Sequence, residues 1–185
     1  MLLTNEQGET LLEVAKQSIK HGLDNGKPLP VEPHDYAPEL QKQLATFVTL
    51  EINHNLRGCI GTLVAQQPLV RDVAYHAYAA AFSDPRFPRL KHDEIPLLDI
   101  HISILSESEP ITFGSEEHLI QQLRPGIDGL ILTEGMRKGT FLPSVWESLT
   151  EPRDFLRHLK QKAGLPADYW SNQIKVERYT TESIP

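Results

Sequence analysis

The sequence predicts an α+β fold in which an antiparallel sheet is flanked by helices. Helical and β-rich segments are interspersed along the chain, and β-rich segments occur twice as closely spaced pairs typical of hairpins, which favours antiparallel pairing over a doubly wound sheet. The chain has 185 residues, 39% of them apolar, so hydrophobic burial can offset chain entropy in one domain. We therefore expect a single domain over residues 1–185, folded as one body or as two lobes.

The first helix is expected to begin at a capping box formed by Thr4 and Gln7 and to end at Gly22. Apolar residues recur on one face of this segment, as they do in a helix that packs against a core. The following stretch, 23–40, contains four prolines and few apolar anchors, which predicts an extended surface loop.

Two β-rich runs, at 44–52 and 60–65, predict the first hairpin. A helix is expected to start at Pro68 and to end before the Asp-Pro pair at 84–85, because the residue before a proline avoids the helical region. Small alanine residues on the apolar face of this helix allow close packing.

The second half of the chain opens with alternating apolar and polar residues over 98–105, which predict a half-buried strand with His101 on its polar face. The remaining elements are expected, in chain order, as a helix over 115–123, a hairpin formed by 130–133 and 140–142, helices over 143–149 and 151–163, and a strand over 174–179.

Charge and composition exclude several classes of function. Lys and Arg number 18 against 25 Asp and Glu, and the net charge of −7 gives no general attraction to phosphate backbones, so nucleic acid is not expected as a partner. No apolar run reaches the about 20 residues that a membrane helix needs, and the first residues lack the pattern of a signal peptide. We therefore expect no membrane association and a cytoplasmic location.

Metal and cofactor sites have no recognisable pattern in the sequence. The single cysteine, Cys59, excludes an intrachain disulfide and any zinc or iron–sulfur site built from paired cysteines. The eight histidines show no close pair at a metal-ligand spacing, and the chain has no G-x-G-x-x-G, P-loop or C-x-x-C motif. No metal and no cofactor are expected.

The segment 56–61, Leu-Arg-Gly-Cys-Ile-Gly, is the chemically suggestive part of the chain. Gly58 and Gly61 leave the backbone open to close approach by a ligand. Arg57 favours the thiolate of Cys59, provided that no bulge turns the two side chains to different faces. The alternative is that Cys59 packs as a small hydrophobic residue and that the glycines shape the hairpin.

Three further residues are candidates for the same site. His101 could act as a base toward Cys59 if their strands are neighbours, and a simple half-buried histidine is the alternative. Asp84 and Arg86 follow a helix end, where the arginine could bind a substrate anion or brace the turn through the carboxylate.

The hexapeptide 56–61 resembles the signature of the AMMECR family, and similar segments follow in order along nearly the whole chain. They are Ala79-Ala80-Ala81-Phe82-Ser83-Asp84-Pro85-Arg86-Phe87-Pro88, Ile102-Ser103-Ile104-Leu105, Gly126-Ile127-Asp128-Gly129-Leu130-Ile131, Gly139-Thr140-Phe141-Leu142-Pro143-Ser144-Val145-Trp146, Phe155-Leu156 and Lys162-Ala163-Gly164-Leu165. The resemblance implies an α+β fold with a larger lobe that holds both termini, a smaller lobe, and a cleft between them near the hexapeptide.

The same resemblance implies partners rather than a reaction. The family has no settled enzymatic activity, and its bacterial members include protein A of the AmmeMemoRadiSam system, which is expected to work alongside a radical S-adenosylmethionine protein and a Memo-like protein.

Two hypotheses about function follow. In the first, Cys59 is a nucleophile or covalent acceptor, activated by Arg57, with His101 or another group of the cleft moving protons. In the second, the hairpin glycines together with Asp84 and Arg86 form a non-catalytic groove that recognises a partner protein or a small ligand, and the thiol is packing.

Overall fold

The computed structural model describes residues 3–185 and divides into two compact units. The larger unit comprises residues 3–105 and Glu182–Pro185, and the smaller unit is Ser106–Thr181. Each unit has its own four-stranded sheet. The spatial order in the larger unit is β2 (Asn55–Gly61), β1 (Ala45–Ile52), β3 (Leu98–Leu105) and β8 (Thr181–Ile184), and the order in the smaller unit is β4 (Glu109–Pro110), β7 (Lys175–Tyr179), β5 (Gly129–Glu134) and β6 (Arg137–Phe141). The α+β class with antiparallel pairing is confirmed. No helix within residues 3–185 has the length and apolar character to span a membrane.

The helices and strands follow one another along the chain. Their bounds are α1 Asn5–Asn25, β1 Ala45–Ile52, β2 Asn55–Gly61, α2 Leu69–Phe82, β3 Leu98–Leu105, β4 Glu109–Pro110, α3 Glu116–Gln122, β5 Gly129–Glu134, β6 Arg137–Phe141, α4 Pro152–Lys162, β7 Lys175–Tyr179 and β8 Thr181–Ile184. Within residues 3–185, four short 3₁₀ helices lie at Pro33–Asp35, Pro38–Gln41, His92–Leu97 and Pro143–Glu147.

The capping box at the start of α1 is confirmed, but the predicted end is wrong. Thr4 and Gln7 exchange hydrogen bonds of 2.9 and 3.2 Å between side chain and backbone. The helix runs on to Gly26, whose left-handed φ of 68° ends it. Gly22 instead allows a close helix crossing, because a Cβ atom there would lie 2.5 Å from the ring of Phe82 in α2.

The stretch 23–40 is also more structured than predicted. Its first residues complete α1, and it contains two 3₁₀ helices, at Pro33–Asp35 and Pro38–Gln41. Each of these has a proline in its first turn, where the missing N–H costs no hydrogen bond.

The first hairpin is confirmed, and its second strand starts earlier than the predicted 60–65. Asn53 and His54 have left-handed φ angles of 52° and 62°, which close the turn in two residues so that β2 begins at Asn55. The hexapeptide therefore forms most of β2, the edge strand of the sheet in the larger unit.

Helix α2 covers one face of this sheet. Its buried valines and alanines pack with Val48, Leu50, Ile100 and Ile102, which are at most 6% exposed. Because side chains alternate along a strand, the residues between these lie on the opposite face, where they are half-buried. The predicted bounds of β3, 98–105, are those observed.

In the smaller unit, the predicted helices and hairpin are confirmed. Helices α3 and α4 pack on Leu130, Leu132 and Val176 of the sheet, and the ring of Trp146 stacks on Phe155 with centroids 3.8 Å apart. The segment predicted as a helix over 143–149 is a 3₁₀ helix. The short strands β4 and β8 were not predicted.

Candidate functional site

Cys59 lies in a row of three side chains on the half-buried face of the sheet in the larger unit. It pairs with Thr49 of β1, which pairs on its other side with His101 of β3. Directly opposed residues of an antiparallel sheet project to the same face. The Cys59 Sγ and Thr49 Oγ1 atoms are 3.2 Å apart, which is within hydrogen-bonding distance for sulfur.

The strands that carry Cys59 and His101 are not neighbours, because β1 lies between them. With about 4.8 Å between adjacent strands, their backbones are about 10 Å apart. His101 instead lies near Glu51, with 3.6 Å between Nε2 and Oε2. The condition for His101 to be a direct base for the thiol is therefore not met in this sheet.

Arg57 is directed away from the thiol by a β-bulge. Leu50 pairs with Gly58 but the next residue, Glu51, pairs with Leu56, so Arg57 is the extra residue. Its Nε and Nη2 atoms donate to the two carboxylate oxygens of Glu94 at 2.9 and 3.2 Å.

This half-buried pair joins β2 to the 3₁₀ helix His92–Leu97. Hydrogen bonding to Arg57 is the largest influence on the pKa of Glu94 and lowers it, against the opposing effect of burial. Arg57 therefore stabilises the bulge through Glu94. Its side chain does not lie on the same face of the sheet as Cys59, as it would in a regular strand.

The guanidinium group beside Cys59 is that of Arg86. Asp84 Oδ2 accepts a hydrogen bond from the Cys59 backbone N–H at 3.0 Å, and Arg86 Nη2 donates to the Cys59 carbonyl at 3.4 Å. Arg86 also donates to both oxygens of Asp84, at 3.0 and 2.7 Å. The two side chains occupy the hydrogen-bonding positions that a further strand would take at this edge.

The Asp84–Arg86 pair is held firmly and is exposed on one side. The Asp84 side chain is 2% exposed and that of Arg86 is 54% exposed. The hydrogen bond from Arg86, with further help from the Cys59 N–H, holds the pKa of Asp84 well below its usual range although burial opposes this. The pKa of Arg86 is raised, mainly by Asp84 and also by charge on Cys59.

The space beside the two glycines is filled by the protein itself. A Cβ atom on Gly58 would lie 2.1 Å from the carbonyl oxygen of Ala80 in α2, and one on Gly61 would lie 2.3 Å from that of Thr46 in β1. The expectation that these glycines leave room for a ligand is therefore corrected: both allow backbone segments to pack closely.

Thr49, Glu51 and Glu94 were not singled out from the sequence. Thr49 and Glu51 could have been found from the sequence, because they alternate with the apolar residues of β1. Once the hairpin register is known, this alternation places them on the same face of the sheet as Cys59. Glu94 lies 37 positions from Arg57, and no local pattern connects them. No three His, Cys, Asp or Glu side chains within residues 3–185 are grouped to hold a metal ion.

Fold and site together define a class: two-unit α+β proteins with a half-buried cysteine, in a Leu-Arg-Gly-Cys-Ile-Gly segment, on the edge strand of the sheet in the larger unit. The AMMECR1 family model matches residues 12–184. The chain belongs to the AMMECR1 family, as the resemblance predicted, and the biochemical activity of this family is uncharacterised.

Relatives match over almost the whole chain. A protein from Methanothermobacter thermautotrophicus is 34% identical over 97% of this chain and 94% of its own length. Protein PF1979 from Pyrococcus furiosus is 35% identical over 97% of this chain and 88% of its own. The crystal structure of uncharacterized protein PH0010 from Pyrococcus horikoshii is similar to this chain, with a TM-score of 0.88 and 35% sequence identity. The match covers 98% of this chain and 92% of the PH0010 chain.

Proposed function

We propose that this protein is a thiol-dependent component of a system that also contains a radical S-adenosylmethionine protein and a Memo-like protein. In this proposal Cys59 is the nucleophile or covalent acceptor. The observation that carries it is the position of Arg86, whose exposed guanidinium is fixed at the carbonyl of a half-buried cysteine.

The proposed reaction needs Cys59 as a thiolate. A positive charge near a thiol stabilises the ionised form, and the Thr49 hydroxyl can donate a hydrogen bond to the sulfur. Cys59 would lose its proton to solvent, and its sulfur would then attack an electrophilic carbon, whose leaving group departs with the electron pair of the broken bond. In this proposal Arg86 activates the thiol, whereas the sequence analysis predicted this role for Arg57.

His101 acts on the ligand rather than on the thiol in this proposal. The row from Cys59 through Thr49 to His101 spans about 10 Å, which corresponds to two strand spacings. A ligand that lies along the row and is attached at Cys59 reaches His101, whose imidazole can exchange a proton with it. Glu51 Oε2 lies 3.6 Å from Nε2 of this ring.

The non-catalytic alternative keeps the same surface. It is favoured by the absence of a general base within hydrogen-bonding distance of Cys59 among residues 3–185, where the partner of Sγ is a threonine hydroxyl. In that case, the polar face of the sheet recognises a partner protein or a small ligand without covalent chemistry.

Alkylation of Cys59 by iodoacetamide, followed as a function of pH, tests the first proposal. We expect the wild type to react at lower pH than a free thiol, and the Arg86→Gln variant to require higher pH. A wild-type profile equal to that of free cysteine would exclude the nucleophile and leave the binding alternative. Titration with each purified partner, using wild type and Cys59→Ser, then tests whether the partners bind directly.

A further inference from the structure

A groove of about 270 Å³ lies between α1 and β3, entirely within the larger unit. Its floor is formed by Ile19 and Ile100, which are 1% and 6% exposed. Ile95, Pro96 and Leu98 line it as well, and these three are partly open to solvent. The volume is near the lower end of the range of small-molecule sites. The groove therefore offers a small ligand an aliphatic surface.

Two lysines of α1, Lys16 and Lys20, line the same groove. They are four residues apart, so they lie on the same face of the helix, separated by about 6 Å along its axis. Both are exposed, and within residues 3–185 neither makes a hydrogen bond or an ion pair to the protein. One anionic group placed between them can interact with both ammonium groups.

The acidic residues of α1 that lie one turn from these lysines have other partners. Glu13 accepts a hydrogen bond from Gln17 at 2.9 Å. Asp24 lies with its Oδ1 atom 3.9 Å from Nε2 of His92. Neither carboxylate lines the groove.

The acidic residues on the other side of the groove are also directed elsewhere. Glu94 is bound by Arg57 through both oxygens. Asp99 follows Leu98 in β3, and because side chains alternate along a strand, it projects to the opposite face of the sheet. Asp93 is exposed and does not line the groove. The lining therefore contains two cations and no anion.

We propose that this groove binds a medium-chain aliphatic carboxylate. The chain lies over Ile19 and Ile100, where it is removed from water, and the carboxylate lies between Lys16 and Lys20. Among the described residues no aromatic ring lines the groove, which favours an aliphatic chain over a flat ring.

The groove lies on the opposite face of the sheet from Cys59. Ile100 and His101 are adjacent in β3 and project to opposite faces, and His101 shares its face with Thr49 and Cys59. The carboxylate site is therefore separate from the thiol. Cys59→Ser should leave binding at the groove unchanged, and a loss of binding in this variant would contradict the assignment.

Titration of the full chain with octanoate and with 1-octanol tests the proposal, because these ligands share a chain and differ in charge. Binding is followed by NMR of the isoleucine methyl groups. We expect the signals of Ile19, Ile95 and Ile100 to shift, and octanoate to bind about two- to tenfold more tightly, the range for one or two exposed ion pairs. Shifts confined to isoleucines of the smaller unit, or equal binding of the two ligands, would overturn the proposal.

The contribution of the cations is tested by a double variant. Lys16→Gln combined with Lys20→Gln should remove the preference for octanoate. The matched control combines Lys138→Gln with Lys175→Gln, which removes the same charge from exposed lysines of the smaller unit that also lack protein partners within residues 3–185. This control should keep the preference. The same loss in both double variants would show an effect of net charge alone and would overturn the site.

The apolar lining is tested separately. Ile95→Ala should weaken both ligands by about two- to tenfold, because part of the aliphatic contact is lost. Ile127→Ala is the control, since Ile127 is 51% exposed and lies in the smaller unit. It should leave both affinities unchanged, and equal effects of the two substitutions would overturn the placement of the chain.

Discussion

The backbone N–H of Cys59 donates a hydrogen bond to the buried carboxylate of Asp84, 3.0 Å away. This bond connects an edge strand to the loop that follows α2, and Asp84 also positions Arg86, which it binds through both oxygens. The same carboxylate thus protects the edge of the sheet and orients the cation at the Cys59 carbonyl. Changes at Asp84 should therefore affect both stability and the reactivity of Cys59.

Asp84→Asn should lower the free energy of unfolding by about 1–3 kcal/mol at pH 7, because charged hydrogen bonds to a buried carboxylate are lost. Since the folded pKa of Asp84 is depressed, its stabilising effect is present above the ordinary pKa of about 3.9 and decreases as pH falls below it. Urea unfolding from pH 7 to pH 3 should show the two proteins converging. A constant difference across that range would contradict the assignment.

Gly58→Ala should destabilise the protein by about 1–3 kcal/mol, because the added methyl group meets the backbone carbonyl of Ala80, which cannot move aside as a side chain can. Gly114→Ala is a matched control: nothing lies within 4 Å of the position that its methyl group would take, and its φ is not in the left-handed region. Thermal unfolding of both variants measures the contrast. Equal effects at both positions would show that close packing at Gly58 is not its role.

Arg57 and Arg86 should have separable effects. Arg57→Gln should lower stability, because Glu94 loses a bidentate partner, while leaving the pH dependence of Cys59 alkylation close to wild type. Arg86→Gln should change that pH dependence. Measuring unfolding and alkylation for both variants decides between the two arginines, and a shifted alkylation profile in Arg57→Gln would return the activating role to Arg57.

The Tyr179 hydroxyl should titrate at unusually high pH. Burial raises its pKa to about 12, although a hydrogen bond with Thr140 partly opposes this. Because the folded pKa is raised, the neutral phenol contributes stability below the unfolded pKa of about 10 and that contribution is lost as pH rises toward about 12. Tyr179→Phe should therefore lose less stability than wild type between pH 10 and pH 12, as followed by circular dichroism. A parallel decline would contradict the assignment.

Elements that depend on local pattern were predictable from the sequence. The Thr4–Gln7 capping box and the alternation over 98–105 give the start of α1 and the bounds of β3, since each depends on residues within one turn or one strand. Gly22 and Gly26 show the limit of this reasoning. From the sequence alone, either glycine could end the helix. Gly22 is instead a packing residue because of its contact with Phe82, which lies far along the chain.

The site could be predicted in its residues but not in its pairings. Cys59, Asp84 and Arg86 do come together in the structure. The bulge at Arg57 depends on the register of β2 against β1 and on the distant Glu94, and neither leaves a signal in the hexapeptide itself. The position of β1 between β2 and β3, which separates Cys59 from His101, is likewise a property of topology.

The return of the last residues to the larger unit has a consequence for biosynthesis. Strand β8 lies beside β3 and follows the entire smaller unit in the chain. On the ribosome, the sheet of the larger unit therefore keeps β3 as an open edge until β8 is translated, and open edges promote misassembly between nascent chains. Early folding of the inserted unit, by shortening the span that separates these two strands, would limit that exposure.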